Sequence, residues 1–176
     1  MKKKLFTILS VLLIAMLAVS PVYAGGVRIT FSSGSLKADG DGFGFSGYGV
    51  VGLTLDAKGN AHVSCIDPGD NGNVVPGQNP IFPIESTVTN SVKSDKNGKF
   101  PVHLVVDVDP TLLSPEDVGC PNKNWIVQID WVDWTWAKFT VEDLNDVTQL
   151  PTGNILWSKE YTCTSAPTTV SCKAIK

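Results

Sequence analysis

Apolar and polar residues alternate along short stretches of the chain, which is the period of a β-strand with one buried face. Downstream of residue 24, no apolar pattern at helical spacing persists for the length of an ordinary helix. The pattern therefore predicts an all-β fold. The clearest alternating stretches are residues 27–31, 50–56, 61–66, 84–92 and 100–108.

Turn-forming residues divide these stretches. Residues 57–60 predict a hairpin turn between two strands, and Asn97-Gly98 predicts a tight turn before another strand. Nearly every residue of 67–80 favours a turn, so this segment predicts a long irregular surface loop. Residues 145–154 predict a second surface loop for the same reason.

The segment 125–141 is rich in tryptophan, and its alternation changes phase partway. Trp131 is at an odd-numbered position of the alternation, whereas Trp134 and Trp136 are both at even-numbered positions. A phase change within a run that is too long for one ordinary strand predicts a bulge or bend near residues 133–136. Trp134 and Trp136 are expected to share a face, either within the core or as an exposed platform that binds a ligand.

Short strands, regular turns and strands near both ends of the pattern favour an antiparallel two-sheet β-sandwich. The tryptophans supply the large apolar volume that such a core needs. A closed barrel is the alternative architecture for the same pattern.

The first 24 residues have the features of a cleaved secretory signal peptide. Three lysines precede the apolar run 5–19, and Val22 and Ala24 are placed for signal cleavage. The run is shorter than the roughly 20 residues that a membrane span needs, so an uncleaved anchor is the less favoured alternative. We expect a single mature domain, residues 25–176, that is secreted or held at the cell surface and has no membrane span.

The charge balance argues against two classes of partner. The chain has 14 basic and 17 acidic residues, and loss of the signal lysines makes the mature domain more acidic still. The charges are spread out, without a block of one sign. A mildly acidic domain of this kind attracts neither nucleic acid nor an anionic lipid surface.

All four cysteines lie downstream of the predicted signal: Cys65, Cys120, Cys163 and Cys172. An even number in an exported domain predicts two disulfides, for which three pairings exist. Cys163–Cys172 is favoured because a polar, proline-containing turn separates these two residues, and Cys65–Cys120 is then the remaining pair. The Cys-x-x-Cys spacing of structural zinc sites is absent, so we expect no metal at the cysteines.

Residues 63–65, 76–80, 119–125 and 161–163 carry the motifs VSC, PGQNP, GCPNKNW and YTC. Their arrangement resembles a group of small exported bacterial proteins that are predicted to be immunoglobulin-like sandwiches. The resemblance covers most of the mature chain. It implies an immunoglobulin-like fold and no particular activity, because its motifs are turns and cysteines.

Candidate catalytic residues are few. His62 and His103 are both expected on the outer faces of strands, and neither a G-x-S-x-G nor an H-E-x-x-H motif occurs. Asp107 and Asp109 are expected to share a strand face at a spacing that a paired-carboxylate glycosidase would permit. Nearly every outer strand face permits this spacing, so we assign no catalytic residue and expect a protein that is not an enzyme.

Asp39 and Asp41 are the best candidates for a cation site, because carboxylates two residues apart on a glycine-bent backbone can share calcium. An EF-hand loop would need further acids and a glutamate where Val50 stands. A glycine-rich strand bulge with solvated acids is therefore the favoured interpretation. We expect no cofactor, with calcium as the alternative.

Three classes of function fit these observations. The favoured one is an exported, non-enzymatic module that binds an unidentified surface protein or polysaccharide through loops 67–80 and 145–154 and through Trp134 and Trp136. The second is a carbohydrate-binding or small carbohydrate-active protein. The third is a structural subunit that assembles through strand edges. The sequence leaves the ligand and the oligomeric state open.

Overall fold

A computed structural model describes residues 25–32, 35–69 and 72–176, so the predicted signal peptide lies outside the described residues. Within these ranges, no helix has the length and apolar character needed to cross a membrane. The described residues form the strands β1 (Gly26–Ser32), β2 (Leu36–Phe43), β3 (Val50–Ile66), β4 (Val74–Lys93), β5 (Phe100–Val106), β6 (Ile126–Leu144), β7 (Pro151–Ala166) and β8 (Thr169–Ala174), with the 3-10 helix Pro110–Leu112 between β5 and β6.

The strands form two antiparallel sheets, as the alternating pattern predicts. The short sheet has the order β1-β2-β5, and the long sheet has the order β4-β3-β6-β7-β8. The inward positions of both sheets meet in one core, and burial there raises the pKa of the Tyr161 phenol. The fold is therefore the predicted two-sheet sandwich. Its most deeply buried side chains include Leu36, Leu53, Leu55, Leu104, Val106, Trp134, Phe139 and Val141.

β3 runs without a break through residues 57–60, so the predicted hairpin turn there is wrong. Lys58 pairs with Glu85 of β4 on one side and with Trp136 of β6 on the other. Two flanking ladders hold the backbone extended at this point, and this tertiary pairing overrides the turn preference of Gly59 and Asn60.

Both predicted surface loops are shorter than expected. β4 begins at Val74, so only residues 67–73 connect it to β3, and β7 begins at Pro151, so only residues 145–150 connect it to β6. The prolines and glycines of 74–80 indicate a turn in isolation. They are compatible with a strand here because β4 is at the edge of the long sheet. On its outer edge no neighbouring strand requires a backbone N–H donor, so proline is tolerated there.

The two sheets differ in length, and this difference positions the candidate site. The strands of the short sheet have 7 or 8 residues, whereas β3, β4, β6 and β7 have 17, 20, 19 and 16. Beyond the end of the short sheet, residues 113–120, here called the bridging segment, pack on the long sheet. Val118 is fully buried there, and the backbone N–H groups of Gln78 and Asn79 donate to the carbonyls of Gly119 and Val118.

Both predicted disulfides are present. Cys65 of β3 bonds to Cys120 of the bridging segment, and Cys163 of β7 bonds to Cys172 of β8. Neither bond joins the two sheets, whereas the conserved disulfide of immunoglobulin domains does. The sandwich is thus confirmed, and an immunoglobulin-like topology stays a prediction.

Candidate functional site

A cavity of about 280 Å³ opens where the short sheet ends and the long sheet continues. Its walls are the end of the short sheet at Ser35 and Val106, residues 129–132 and Trp134 of β6, and residues 165–167, 169 and 170 around the β7–β8 turn. We call it the end cavity. It exists because β5 stops at Val106 while β6 extends past this level, so one wall of the sandwich is missing.

Two carboxylates, Asp107 and Asp130, line the end cavity. Asp107 is exposed and directly follows the last residue of β5. Oδ1 of Asp130 accepts hydrogen bonds from Ser64 Oγ and Gln128 Nε2, each 3.0 Å long. Because Ser64 is buried, its hydroxyl holds the Asp130 carboxylate in place, and both residues also line a neighbouring pocket together with His62 and Trp131.

A bulge in β6 brings Asp130 to this position. His62 pairs with Trp131 and Val63 pairs with Ile129, which leaves Asp130 as the extra residue. The rings of His62 and Trp131 stack with their centroids 3.8 Å apart and their planes 10° from parallel. This stack lies on the face of the long sheet that points away from the short sheet, here called the outer face, as the sequence predicts for His62.

Trp134 forms the inner wall of the end cavity. Its side chain is 2% exposed, and its indole Nε1–H has no hydrogen-bond acceptor among the described residues. The backbone of Trp134 is held to β7, because its N–H donates to Ser165 Oγ at 2.9 Å and its carbonyl accepts from the same hydroxyl at 3.1 Å. A buried donor without an acceptor costs free energy, and because almost none of the Nε1 atom is accessible to solvent, this N–H does not open into the cavity.

Trp134 and Trp136 do not share a face, so this prediction is wrong. Lys58 pairs with Trp136 and Gly59 with Trp134, which makes Thr135 the extra residue of a second bulge in β6. Trp134 consequently points into the core, whereas Trp136 lies half-buried on the outer face, with Lys58 Nζ 5.7 Å from the centre of its ring. The two residues cannot form one aromatic platform.

Asp107 and Asp109 do not share a strand face either, because β5 ends at Val106. Asp109 instead caps the 3-10 helix, where its Oδ1 accepts from Thr111 N at 2.8 Å and Thr111 Oγ1 at 2.7 Å. These hydrogen bonds, chiefly that of the hydroxyl, lower the pKa of Asp109. The structure thus uses Asp109 as a cap and leaves Asp107 at the end cavity.

The candidate calcium residues lie on β2, away from the end cavity. Asp39 Oδ1 is 2.5 Å from His103 Nδ1 of β5, an exposed pair that joins two neighbouring strands. Asp41 pairs across the sheet with Arg28 of β1. In the part of the chain that the structure describes, no group of three or more His, Cys, Asp or Glu side chains is placed to hold a metal ion.

The polar residues that line the end cavity are Asp107, Asp130, Ser35, Ser165 and Thr169. Its other lining residues are apolar, and none of the lining residues is Lys, Arg or His. The hydroxyls of such residues can donate hydrogen bonds, and the carboxylates can accept several.

The sequence gives little sign of this cavity. It places Asp130 on the side of the strand opposite Ile129, which agrees with its exposure, but the register that sets it beside Ser64 depends on the pairing of β3 with β6. No protein-family model, no curated protein and no solved structure matches this chain.

Proposed function

We propose that this chain is an exported, non-enzymatic binding module and that its end cavity holds a hydroxyl-rich ligand, such as the terminal unit of a carbohydrate. The observation that carries the proposal is a cavity lined by Asp107 and Asp130, by the hydroxyl residues Ser35, Ser165 and Thr169, and by Trp134. Carboxylates and hydroxyls can accept hydrogen bonds from the hydroxyl groups of a ligand.

The combination of groups favours a hydroxyl ligand over a cationic one. Carboxylates attract both amines and hydroxyls, but an ammonium or guanidinium group has no acceptor for the hydroxyl donors of the cavity. A sugar hydroxyl can donate to a carboxylate and accept from a serine or threonine hydroxyl at the same time. The apolar lining residues, Val106 and Val132 among them, offer contact to the carbon faces of a sugar ring.

The volume of the cavity limits the ligand. At about 280 Å³ it lies near the lower end of the range of roughly 300–1,000 Å³ found for small-molecule sites. This size supports recognition of one sugar unit or a chain end rather than of an extended polysaccharide.

Export is supported by two features that arise independently. Residues 1–24 have the pattern of a cleaved signal, and all four cysteines are paired in disulfides, which persist in oxidising compartments. If the full chain is expressed in an export-competent bacterium, the protein outside the cytoplasm is expected to begin at Gly25, which mass spectrometry of its N-terminal peptide measures.

Binding is tested with a glycan array, followed by calorimetry with the glycans that are retained. Thr169→Val removes one hydroxyl and keeps the side-chain volume, and Asp107→Asn removes one carboxylate charge. Each is expected to weaken binding about tenfold or more, since each removes or weakens a hydrogen bond to the ligand. Trp136→Phe is the matched control, because Trp136 is outside the cavity, and it should bind like the parent.

Two results would overturn the proposed site. One is a parent protein that retains no glycan on the array. The other is an Asp107→Asn variant that is folded, as shown by its circular dichroism, and binds every retained glycan with the affinity of the parent.

A further inference from the structure

The edges of the two sheets are unequally protected against pairing with another chain. Within the described residues, the edge strands are β1 and β5 in the short sheet and β4 and β8 in the long sheet. β1, β5 and β8 have 7, 7 and 6 residues, whereas β4 has 20. A long edge strand presents a row of backbone donors and acceptors to solvent, and proteins usually shorten or block such edges.

The first part of β4 is blocked in two ways. Pro76, Pro80 and Pro83 have no backbone N–H, and proline is one of the residues that protect natural edge strands. In addition, the N–H groups of Gln78 and Asn79 donate to the bridging segment at 3.1 Å each. This part of the edge is therefore already occupied.

Residues 84–93, here called the edge segment, contain no proline and, among the described residues, donate no backbone N–H to the bridging segment, although the N–H of Ser91 donates to Asn90 Oδ1 at 2.9 Å. β3 is the only strand partner of the edge segment in the part of the chain that the structure describes. The residues that share its outer face are all exposed: Glu85, Thr87, Thr89, Ser91 and Lys93. Asn90, on the opposite face, is exposed as well.

We propose that the edge segment pairs antiparallel with the same segment of a second copy, about a two-fold axis at Thr89. In this register Glu85 of one copy is opposite Lys93 of the other, Thr87 is opposite Ser91, and the two Thr89 residues face each other. Opposite charges and Thr–Thr or Thr–Ser pairs are favourable cross-strand neighbours. The two long sheets then form one continuous ten-stranded sheet.

Charge selects this register over its alternatives. A parallel arrangement would place Glu85 beside the second Glu85 and Lys93 beside the second Lys93, which is destabilising. An antiparallel register shifted by two residues in either direction leaves Glu85 and Lys93 without each other as partners. Only the register centred on Thr89 pairs both charges of the edge segment.

This inference does not rest on the proposed carbohydrate site, because it uses other residues and a different measurement. The full chain is expressed through an oxidising export route, and the mass of the purified protein is measured by light scattering over a range of concentrations. The expected result is a mass that rises to twice that of a single copy. A protein that stays monomeric up to millimolar concentration overturns the inference.

Charge reversal then tests the register. Glu85→Lys and Lys93→Glu each create two like-charged pairs per dimer, so each is expected to weaken dimerisation about tenfold. An equimolar mixture of the two variants restores opposite charges at both pairs and should recover the parent's affinity. Because misfolded variants would not rescue each other, failure of the mixture to dimerise overturns the register.

A control distinguishes the role of Glu85 in pairing between copies from its ion pair within its own chain. Glu85 Oε1 is 2.7 Å from Lys58 Nζ in an exposed ion pair. Lys58→Ala removes this ion pair without altering the edge segment and should leave dimerisation unchanged. A loss equal to that of Glu85→Lys would assign the effect to the intrachain pair and overturn the intermolecular one.

Crosslinking provides a second readout that does not depend on charge. Opposite residues of an antiparallel pair have Cα atoms about 4.5–5.5 Å apart, a separation that a disulfide spans. Thr89→Cys is therefore expected to form a covalent dimer on mild oxidation. In Thr87→Cys the new thiols would be more than about 13 Å apart, so this matched variant should stay uncrosslinked. Equal crosslinking of both variants would overturn the two-fold axis at Thr89.

Discussion

Trp134 and Trp136 are two residues apart in one strand, yet Trp134 is buried between the sheets and Trp136 lies on the outer face of the long sheet. Thr135 is the cause, because as the extra residue of a bulge it shifts the alternation by one position between the two tryptophans. One extra residue thus places the two indoles in different environments, one in the core beside the end cavity and one at the surface.

Replacement of the two tryptophans should have very different effects on stability. Trp134→Ala removes a fully buried side chain and should lower the free energy of unfolding by about 3–5 kcal/mol. Trp136→Ala removes a half-buried surface side chain and should cost less than about 1.5 kcal/mol. Urea unfolding of the two variants and the parent measures the difference, and equal losses would contradict the opposite orientation of the two indoles.

The two disulfides should contribute unequally to the free energy of unfolding. The sequence separations of Cys65–Cys120 and Cys163–Cys172 are 55 and 9 residues. Loop-closure entropy predicts losses of about 4 and about 2.5 kcal/mol when the bonds are removed. Urea unfolding of Cys65→Ala/Cys120→Ala and of Cys163→Ala/Cys172→Ala checks this order, and the reverse order would show that strain or residual structure outweighs chain entropy.

The turn before β5 should make stability depend on acid pH. Asp95 Oδ1 accepts hydrogen bonds from the backbone N–H groups of Lys99 and Asn97, and these bonds, chiefly that of Lys99, lower the pKa of Asp95 below its usual 3.8. A lowered folded-state pKa means that the ionised form stabilises the fold. The contribution is complete above the unfolded-state pKa and disappears as the pH falls through the folded-state pKa.

Asp95→Asn keeps an acceptor oxygen but has no charge, so it isolates this effect. The variant should have a lower melting temperature than the parent at about pH 7, and the gap should close towards about pH 2. Thermal unfolding across this range measures the gap. A gap that stays constant with pH would mean that the Asp95 charge has no role in the turn.

Gln149 should be a site for a stabilising substitution. Among the described residues it is the only non-glycine with a positive φ, 55°, a conformation that costs most L-residues about 1–2 kcal/mol. Glycine avoids this cost but loses more backbone entropy, so Gln149→Gly should gain about 0.5–1 kcal/mol. Gln149→Val should instead lose stability, since β-branched residues are the least tolerant of this conformation. Thermal unfolding of both variants tests whether the melting temperature rises for Gln149→Gly and falls for Gln149→Val.

Local patterns were sufficient to predict the all-β class and the two-sheet fold. The same holds for the pairing of Cys163 with Cys172, because two short alternating stretches on either side of a turn place these residues near each other. The predicted bulge near residues 133–136 is also present. In each case the information lies within a few neighbouring residues.

The remaining features depend on contacts between distant parts of the chain. Gly59-Asn60 indicates a turn until β4 and β6 flank it, and the faces of Trp134 and Trp136 depend on which single residue is left unpaired against β3. The end cavity depends on the relative lengths of strands in different sheets. A pattern of alternation within one strand contains none of this information.

The unequal lengths of the sheets imply that reduction of a disulfide should open one end of the molecule and leave the other end folded. Residues 51–55 and 139–141 are covered by the short sheet, whereas residues 63–66 and 126–129 depend on the bridging segment, which Cys120 tethers to β3. Reduction of this one bond should accelerate amide hydrogen exchange in the second group well before the first. The part of the protein that flanks the end cavity would then open while the opposite half stays folded.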